Sequence, residues 1–339
     1  MKSRALFFVA AGRVELRWID VADPGQGEIL VRSIYSGISS GTEMLVYRGL
    51  VEAELALDER IDTLGGTFRY PFQYGYSCVG VVEQPRESPL YDSLVFAFHP
   101  HQELFVKPET DVLVMADFSP RVATLFPLVE TALQIYLEVE QIGSGPTVVI
   151  GLGALGTLTA ALMKLRGRSV IGIDISAWRA EAARALGIDV VGPEAAPDAV
   201  RRQSGGKGAA VVVEASGNPE ALASALDLLC HEGTALVASW YGLKSASLPL
   251  GGAFHRRRLT IRSTQVSTIP AQLASKWTVR RRREAALELI DQLPVEALAT
   301  HEFPFTSAAS AYGAIDRGEK GLLHAALSYE RTTKASTHV

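Results

Sequence analysis

Over the first hundred residues, apolar positions alternate with polar ones or run in short β-branched blocks: ALFFVA (5–10), VELRWI (14–19), EILVRSIYSG (28–37), YSCVGVVE (76–83), SLVFAF (93–98) and ELFVKP (103–108). Gly12, Pro24, Gly25, Gly27, Pro71, Pro85 and Pro89 punctuate them. Strand-like blocks bounded by turn formers predict an N-terminal β domain. MLVYRGLVEAELALDERIDTL (44–64) interrupts this pattern with mixed polarity and reads as a loop or short helix. An insertion of that length in a compact domain is often functional, and here it is expected to cover a substrate cleft. From Ser119 to Val139 apolar residues fall at helical spacing, and Ser119 before Pro120 suits an N-cap with a first-turn proline.

From Thr147 the period switches. TVVI (147–150) precedes a helical run to about Arg166, then strand SVIGI (169–173), helix AWRAEAARALG (177–187), strand AAVVVEASG (209–217), helix NPEALASALDLL (218–229) and strand TALVASW (234–240). Strands alternating with helices of this length predict parallel βαβ units, right-handed crossovers and a doubly wound α/β sheet. A further strand, LTIRSTQV (259–266), is followed by the helix RRRREAALELI (280–290), then EFPF (302–305) and a last strand HAALSYE (324–330). Too few residues remain there for a separate core. The expected division is 1–120, 121–270 and a return of 271–339 to the first domain, with the tail KASTHV (334–339) frayed.

With 339 residues, 47% hydrophobic and 21% charged, the chain has ordinary globular composition and length for about two domains. Its net charge of −4, with acids and bases interspersed, gives no electrostatic case for nucleic acid and favours a small-molecule ligand. Cys78 and Cys230 both lie in apolar stretches without a CxxC pair. The opening MKSRALFFVAAG breaks too early at Gly12 and Arg13 for a signal peptide, so a reducing, cytoplasmic setting is expected. No apolar run reaches the ~20 residues that span a bilayer.

The most informative stretch is TVVIGLGALG (147–156) with the Asp174 that closes VIGID. A strand enters Gly151-Leu152-Gly153-Ala154-Leu155-Gly156, a helix follows, and a second strand ends in an acid, which is the dinucleotide fingerprint in its full context. Gly151 is expected to make the tight turn, Gly153 to admit a pyrophosphate and Gly156 to let helix and strand pack closely, with the phosphates on the helix N-terminus. A carboxylate at Asp174 accepts from ribose hydroxyls and repels a 2′-phosphate, which favours NAD(H). Arg179 could reach a phosphate or cover the adenine, so NADP(H) stays open.

The order of parts, with GISSGTE (37–43) near the start, VVVEASG (211–217) and YGAIDRGEKGLLHAAL (312–327) near the end, resembles the medium-chain dehydrogenase/reductase superfamily. SGISSGTE and YPFQYGYSCVG (70–80) are similar to the group that includes hydroxyethyl bacteriochlorophyllide dehydrogenases. The resemblance implies a GroES-like β-barrel catalytic domain, a Rossmann domain inserted late, and a homodimer. It also implies that Thr131 lies near the nicotinamide, that Ser216, Gly217, Ser239, Trp240 and Tyr241 line the cofactor at strand ends, and that Gln265 joins them.

Zinc members of the superfamily carry Cys in the segment that here reads GISSG and a His-Glu pair where this chain reads GYSCVG, which places Ser39 and Tyr76 with Ser77 at ligand positions. Neither Ser nor Tyr is a usual zinc ligand, and Leu94 to Pro108 lacks the cysteines of the structural zinc lobe. A zinc-independent branch is therefore expected, in which a side chain or backbone amides must meet the alkoxide that zinc would otherwise stabilise. His99, past a strand end in FAFHPH, is the first candidate for proton transfer; its alternative is an exposed loop histidine. Tyr76 follows, against core packing, then Tyr47 and Ser39, with Glu43 orienting the loop. His99, His101 and Glu103 alternate as metal ligands on one strand face would, but Pro100 argues against a regular strand there.

Two basic clusters, His255–Arg258 and Arg280–Arg283, read as solvated surface or as attractors for an acidic substrate or partner. The second opposes the dipole of its own helix. The leading expectation is an oxidoreductase acting between nicotinamide and a secondary alcohol or ketone. Reduction of an activated C=C bond and a non-catalytic nucleotide-binding protein stay open beside it.

Overall fold

The computed structural model describes residues 1–61 and 63–330. The strand-like blocks of the N-terminal part become β1 (Lys2–Ala10), β2 (Arg13–Asp20), β3 (Glu28–Ile38), β4 (Phe72–Gln73), β5 (Cys78–Gln84), β6 (Leu94–Ala97), β7 (Leu104–Pro108) and β8 (Val112–Val114). β2, β1 and β4 form a small antiparallel sheet; β3 pairs antiparallel with β5 and β7, and β6 joins β5 to β8. Alternation along these strands sends Ile29, Val31, Cys78, Val82, Val95, Ala97, Phe105 and Val112 into one buried cluster. Of the inserted stretch, α1 (Thr42–Tyr47) is the one regular element among the described residues, with an isolated bridge between Ala56 and Thr67.

The single helix expected over Ser119–Val139 is two: α2 (Pro120–Ala123) and α3 (Phe126–Ile142). Pro127 explains the break, because a proline lacks an N–H and its ring clashes with the carbonyl four residues back, here that of Ala123, which a first turn tolerates and an interior does not. Ser119 occupies the N-cap position, but its hydroxyl makes no cap bond. The break is also the boundary between the chain's two units, one comprising Met1–Leu125 with the chain from Ala299 on, the other Phe126–Leu298.

In the second unit β9 (Thr147–Ile150), α4 (Ala154–Leu165), β10 (Val170–Ile173), α5 (Ala177–Ala185), β11 (Val190–Val191), α6 (Ala196–Gln203), β12 (Ala209–Glu214), α7 (Pro219–Leu228), β13 (Leu229–Val237) and β14 (Thr260–Ser263) follow in turn. The six strands are parallel in the order β11-β10-β9-β12-β13-β14, so the doubly wound α/β sheet read from the sequence is what forms. Val148, Ile150, Ile171, Ile173 and Val212 feed one core face, and Val149, Val170, Val211, Val213 and Leu236 the other. Burial on both faces accounts for unbroken apolar runs where the antiparallel part alternates. The register is level at the carboxyl ends, since Val191, Ile173, Ile150, Glu214, Val237 and Ser263 are successive cross-strand partners.

The return to the first unit begins at Ala299, not at residue 271 as expected. The intervening α8 (Val279–Ile290) and α9 (Val295–Leu298) stay with the parallel sheet, because α8 buries Arg282, Ala286, Leu289 and Ile290 and packs on α3. β15 (His301–Pro304), α10 (Ala308–Asp316) and β16 (Ala325–Ser328) then complete the antiparallel unit, with β16 against β3. The expectation for KASTHV lies outside the described residues.

Candidate active site

Each strand of the level rung hands over to a loop, and the sequence-derived cofactor residues fall in those loops. β9 runs into Gly151, β10 into Asp174, β12 into Ala215–Gly217, β13 into Ser239–Tyr241 and β14 into Gln265. The strand order reverses between β9 and β12, the place where open α/β sheets bind ligands. Gly151 has φ +91°, and a Cβ there would lie 2.5 Å from Ser216 Cα; a Cβ on Gly156 would lie 1.8 Å from the Gly151 carbonyl oxygen. A Cβ on Gly153 would meet nothing within 4 Å. Two of the glycines therefore let the protein pack on itself, and the third borders open space.

Gly153 stands at the N-cap of α4 without a side-chain cap, so the amides of Ala154, Leu155 and Gly156 lack both a helical acceptor and a capping oxygen. Asp174 fastens this turn: its Oδ2 accepts from the Leu152 amide at 2.7 Å and its Oδ1 from the Ser176 amide at 2.7 Å. Each oxygen keeps a lone pair for a hydroxyl donor. Arg179 lies over the Trp178 ring at 5.2 Å, and its Nε has no hydrogen-bond partner. Open space, uncapped amides and an acceptor at the strand end fit a dinucleotide.

On the β12 side the fully buried Glu214 organises two loops. Its Oε1 accepts from the Ser216 amide and hydroxyl, and its Oε2 from the Tyr241 hydroxyl at 2.6 Å, which together with burial raises the Tyr241 pKa. Ser239 Oγ accepts from the Gly217 amide at 2.9 Å, and Lys244 donates to the Gly217 carbonyl at 2.8 Å. Thr131 sits on α3 with its hydroxyl turned back to the Pro127 carbonyl at 2.7 Å. In the β14 loop, Gln265 is exposed and accepts from the Ser267 amide.

In the antiparallel unit the structure brings Ser39, Glu43 and Tyr76 together. Glu43 is fully buried on α1; its Oε1 accepts from the Ser39 amide at 2.8 Å, and its Oε2 bonds His101 Nε2 at 2.9 Å and the Tyr312 hydroxyl. His101 Nδ1 meets Ser36 Oγ at 2.7 Å, which meets Tyr329 at 2.9 Å. The half-buried Tyr76 has its hydroxyl beside the hydroxyls of Ser39 and Thr42; desolvation pushes its pKa up to about 12, with the nearby Glu43 adding to the effect. Tyr47 stacks on the Tyr312 ring at 5.3 Å.

His99 is placed otherwise. It is buried, stacked on Phe105 at 4.1 Å, and bonded through Nδ1 to the Pro100 carbonyl at 2.9 Å. Burial pushes its pKa down to about 3, so the ring is neutral and a poor base across the physiological range. This corrects the alternative of an exposed loop histidine, and the neutral, stacked ring argues against the proton-transfer role expected for it. The alternating triad does not converge either, since His101 faces Glu43 and Glu103 pairs with Arg4 at 2.6 Å.

For zinc, the residues at the expected ligand positions are neutral hydroxyls, and Ser77 Oγ is engaged by the Thr124 carbonyl at 2.7 Å. This donor set does not suit zinc, which takes thiolate, imidazole or carboxylate. Among the described residues no group of three or more His, Cys, Asp or Glu is placed to hold a metal ion.

Comparison with known proteins agrees with the geometry. Residues 154–280 match a family model of zinc-binding dehydrogenases. Over 92% of this chain and 94% of its own length, the 2-desacetyl-2-hydroxyethyl bacteriochlorophyllide A dehydrogenase of Cereibacter sphaeroides is 25% identical. Along most of its length the chain is similar to the medium-chain dehydrogenase/reductase superfamily. Within it, a D-guloside 3-dehydrogenase of Escherichia coli is 32% identical over 42% of this chain, a match that spans 42% of that enzyme's length. An alcohol dehydrogenase of Escherichia coli CFT073, solved with NADH, superposes with a TM-score of 0.75 at 15% identity over 96% of this chain and 99% of its own, a likeness of fold.

Sequence reasoning missed Glu214, the His101–Tyr312 pairing around Glu43, and Arg282. A buried acid at a strand end is visible in VVVEASG, but its partner Tyr241 lies 27 residues on. Nothing local marks Tyr312, which is 269 residues from Glu43.

Proposed function

We propose that this protein is a zinc-independent, NAD(H)-dependent oxidoreductase of the medium-chain dehydrogenase/reductase superfamily that transfers hydride between nicotinamide and a secondary alcohol or ketone. The observation that carries the reading is the turn at Gly151–Gly156, with open space at Gly153, uncapped amides at the head of α4 and Asp174 beyond it. Those amides would hold the pyrophosphate, and the free lone pairs of Asp174 the adenosine ribose, where a 2′-phosphate would meet a carboxylate. When bound, NAD(H) supplies or takes up the hydride.

In this reading Tyr76 takes over the proton-transfer role. Reduction of a ketone leaves an alkoxide that needs a donor, and a phenol held near a pKa of about 12 keeps its proton at neutral pH and can give it up to a stronger base. The Ser39 and Thr42 hydroxyls favour the phenolate that remains, and the buried Glu43 holds the Ser39 amide in place. Dehydrogenase names among the relatives support oxidoreductase chemistry, and the homodimer is carried over from the family resemblance alone.

Purified protein incubated with panels of ketones and enones plus NADH or NADPH tests the proposal by loss of reduced-nicotinamide absorbance. Turnover of ketones with NADH is expected, without stoichiometric zinc on elemental analysis. Turnover confined to enones, tight NADH binding without turnover, or one bound zinc per chain would each overturn the corresponding part. Sedimentation analysis at micromolar concentration checks the dimer.

A further inference from the structure

The four arginines of the run Arg280–Arg283 have four different surroundings. Arg280 pairs with Glu284 at 2.9 Å on the surface, and Arg281 lies over Trp277 at 4.8 Å while its amide is capped by Thr278. Arg283 reaches Glu130 at 3.5 Å. Arg282 is 1% exposed, an uncommon state for a charged side chain. All five of its N–H donors find acceptors: Nε and Nη2 donate to Glu130 Oε1 at 3.1 and 2.8 Å, Nη1 to Gln134 Oε1 at 2.6 Å and to the Thr268 carbonyl at 3.3 Å, and Nη2 also to the Val266 carbonyl.

These acceptors come from two places. Glu130 and Gln134 are on α3, beside Thr131; Val266 and Thr268 belong to the loop after β14, beside Gln265. The clamp continues along α3 at one-turn intervals, since Gln134 donates to Glu138 at 2.9 Å, and Glu138 accepts from Arg262 and Thr264, each at 2.6 Å. A loop leaving the end of a parallel sheet has unpaired carbonyls, and the guanidinium fork satisfies two of them while its other donors grip α3.

We propose that Arg282 is the positioning residue of the nicotinamide end of the cofactor site, locking the β14 loop to α3 so that Gln265 and Thr131 are held in one fixed arrangement. The inference rests on the dinucleotide reading above. It separates two halves of one site: the adenosine half, built by Gly151–Gly156 and Asp174, which Arg282 does not touch, and the nicotinamide half, which it organises.

Removing Arg282 alone leaves the buried Glu130 with Arg283 at 3.5 Å as its remaining cation and threatens folding, whereas replacing both partners of a buried pair by apolar residues of similar size is often tolerated. The test therefore uses the double variant Arg282→Met/Glu130→Met and the single variant Arg282→Lys, which keeps a cation against Glu130 but lacks the five-donor fork. Thermal melting and equilibrium binding of NADH and of ADP-ribose, which lacks the nicotinamide, are measured for each. Expected is a folded variant whose ADP-ribose affinity matches that of the wild type while its NADH affinity falls about tenfold, the scale of one lost hydrogen bond. Equal loss for both ligands, or wild-type affinity for both in a folded variant, would overturn the positioning role. Wild-type protein that binds neither ligand would instead sink the dinucleotide reading, and this inference with it.

Discussion

In the proposed reading Tyr76 and not His99 transfers the proton, and burial is the reason in both cases. A half-buried phenol next to hydroxyls stays a usable acid, while an imidazole stacked on a core phenylalanine stays neutral. Tyr76→Phe is expected to lower turnover by about 10²–10⁴ with little change in the KM for NADH. In the wild type, alcohol oxidation should rise with pH toward about 12, because it needs the phenolate, and ketone reduction should stay flat through neutrality. Steady-state rates from pH 6 to 10 check both, and the same slope in Tyr76→Phe would clear Tyr76. Asp174→Asn retains one acceptor where two amides bond, so NADH affinity should drop about tenfold and the preference over NADPH narrow, read by titration with each cofactor. An unchanged preference would remove Asp174 from cofactor selection.

At the level of the element, the strand–turn–helix at β9–α4 is legible in the sequence because its constraints are local: of three glycines within six residues, Gly151 and Gly156 answer to atoms of their own turn or of the neighbouring strand end and Gly153 borders open space. Gly153→Ala should leave the melting temperature near wild type and weaken NADH binding, since the new methyl occupies free space. Gly156→Ala should cost about 1–3 kcal/mol in stability as the methyl meets the Gly151 carbonyl. Melting curves and NADH titrations on the pair separate the two roles; equal melting temperatures would refute the contrast. The role of α8 escapes a sequence reading for the opposite reason. Four consecutive arginines look solvated in sequence, and the side chains that accept from Arg282 lie 148 and 152 residues away on α3. Pro127 splits a helix whose apolar spacing continues straight through it.

For the whole molecule, the antiparallel and parallel parts can be read from periodicity, since a half-buried strand and a doubly covered one leave different patterns, and the return of the chain end from the few residues left for a separate core. The pairings that surround the candidate catalytic residues cannot, because Glu43, His101 and Tyr312 meet only once the chain has closed on itself. That closure has a cost in acid. His99 and His324 are buried and neutral, with pKa values pushed down by burial to about 3 and about 4, while the unfolded chain protonates near 6.5. The unfolded state therefore binds more protons below pH 6.5, and stability should fall by about 1 kcal/mol per pH unit for each histidine from there to about pH 4. Denaturant unfolding between pH 7 and 4 measures this slope; His99→Gln should flatten it and spare turnover, and an unchanged slope would contradict the assignment.

The level register at the carboxyl ends of the parallel strands constrains how this protein can change. Because Ile173, Ile150, Glu214, Val237 and Ser263 share one rung, the loops beyond them start from a common plane. One residue added within β12 would lift its loop by about 3.3 Å and turn alternate side chains to the wrong face. The same addition between Gly205 and Gly206, where a Cβ would meet nothing, shifts no rung. Strand length is thus the quantity lineage drift must leave alone, and new specificities are free to accumulate only in the segments that hang past the plane.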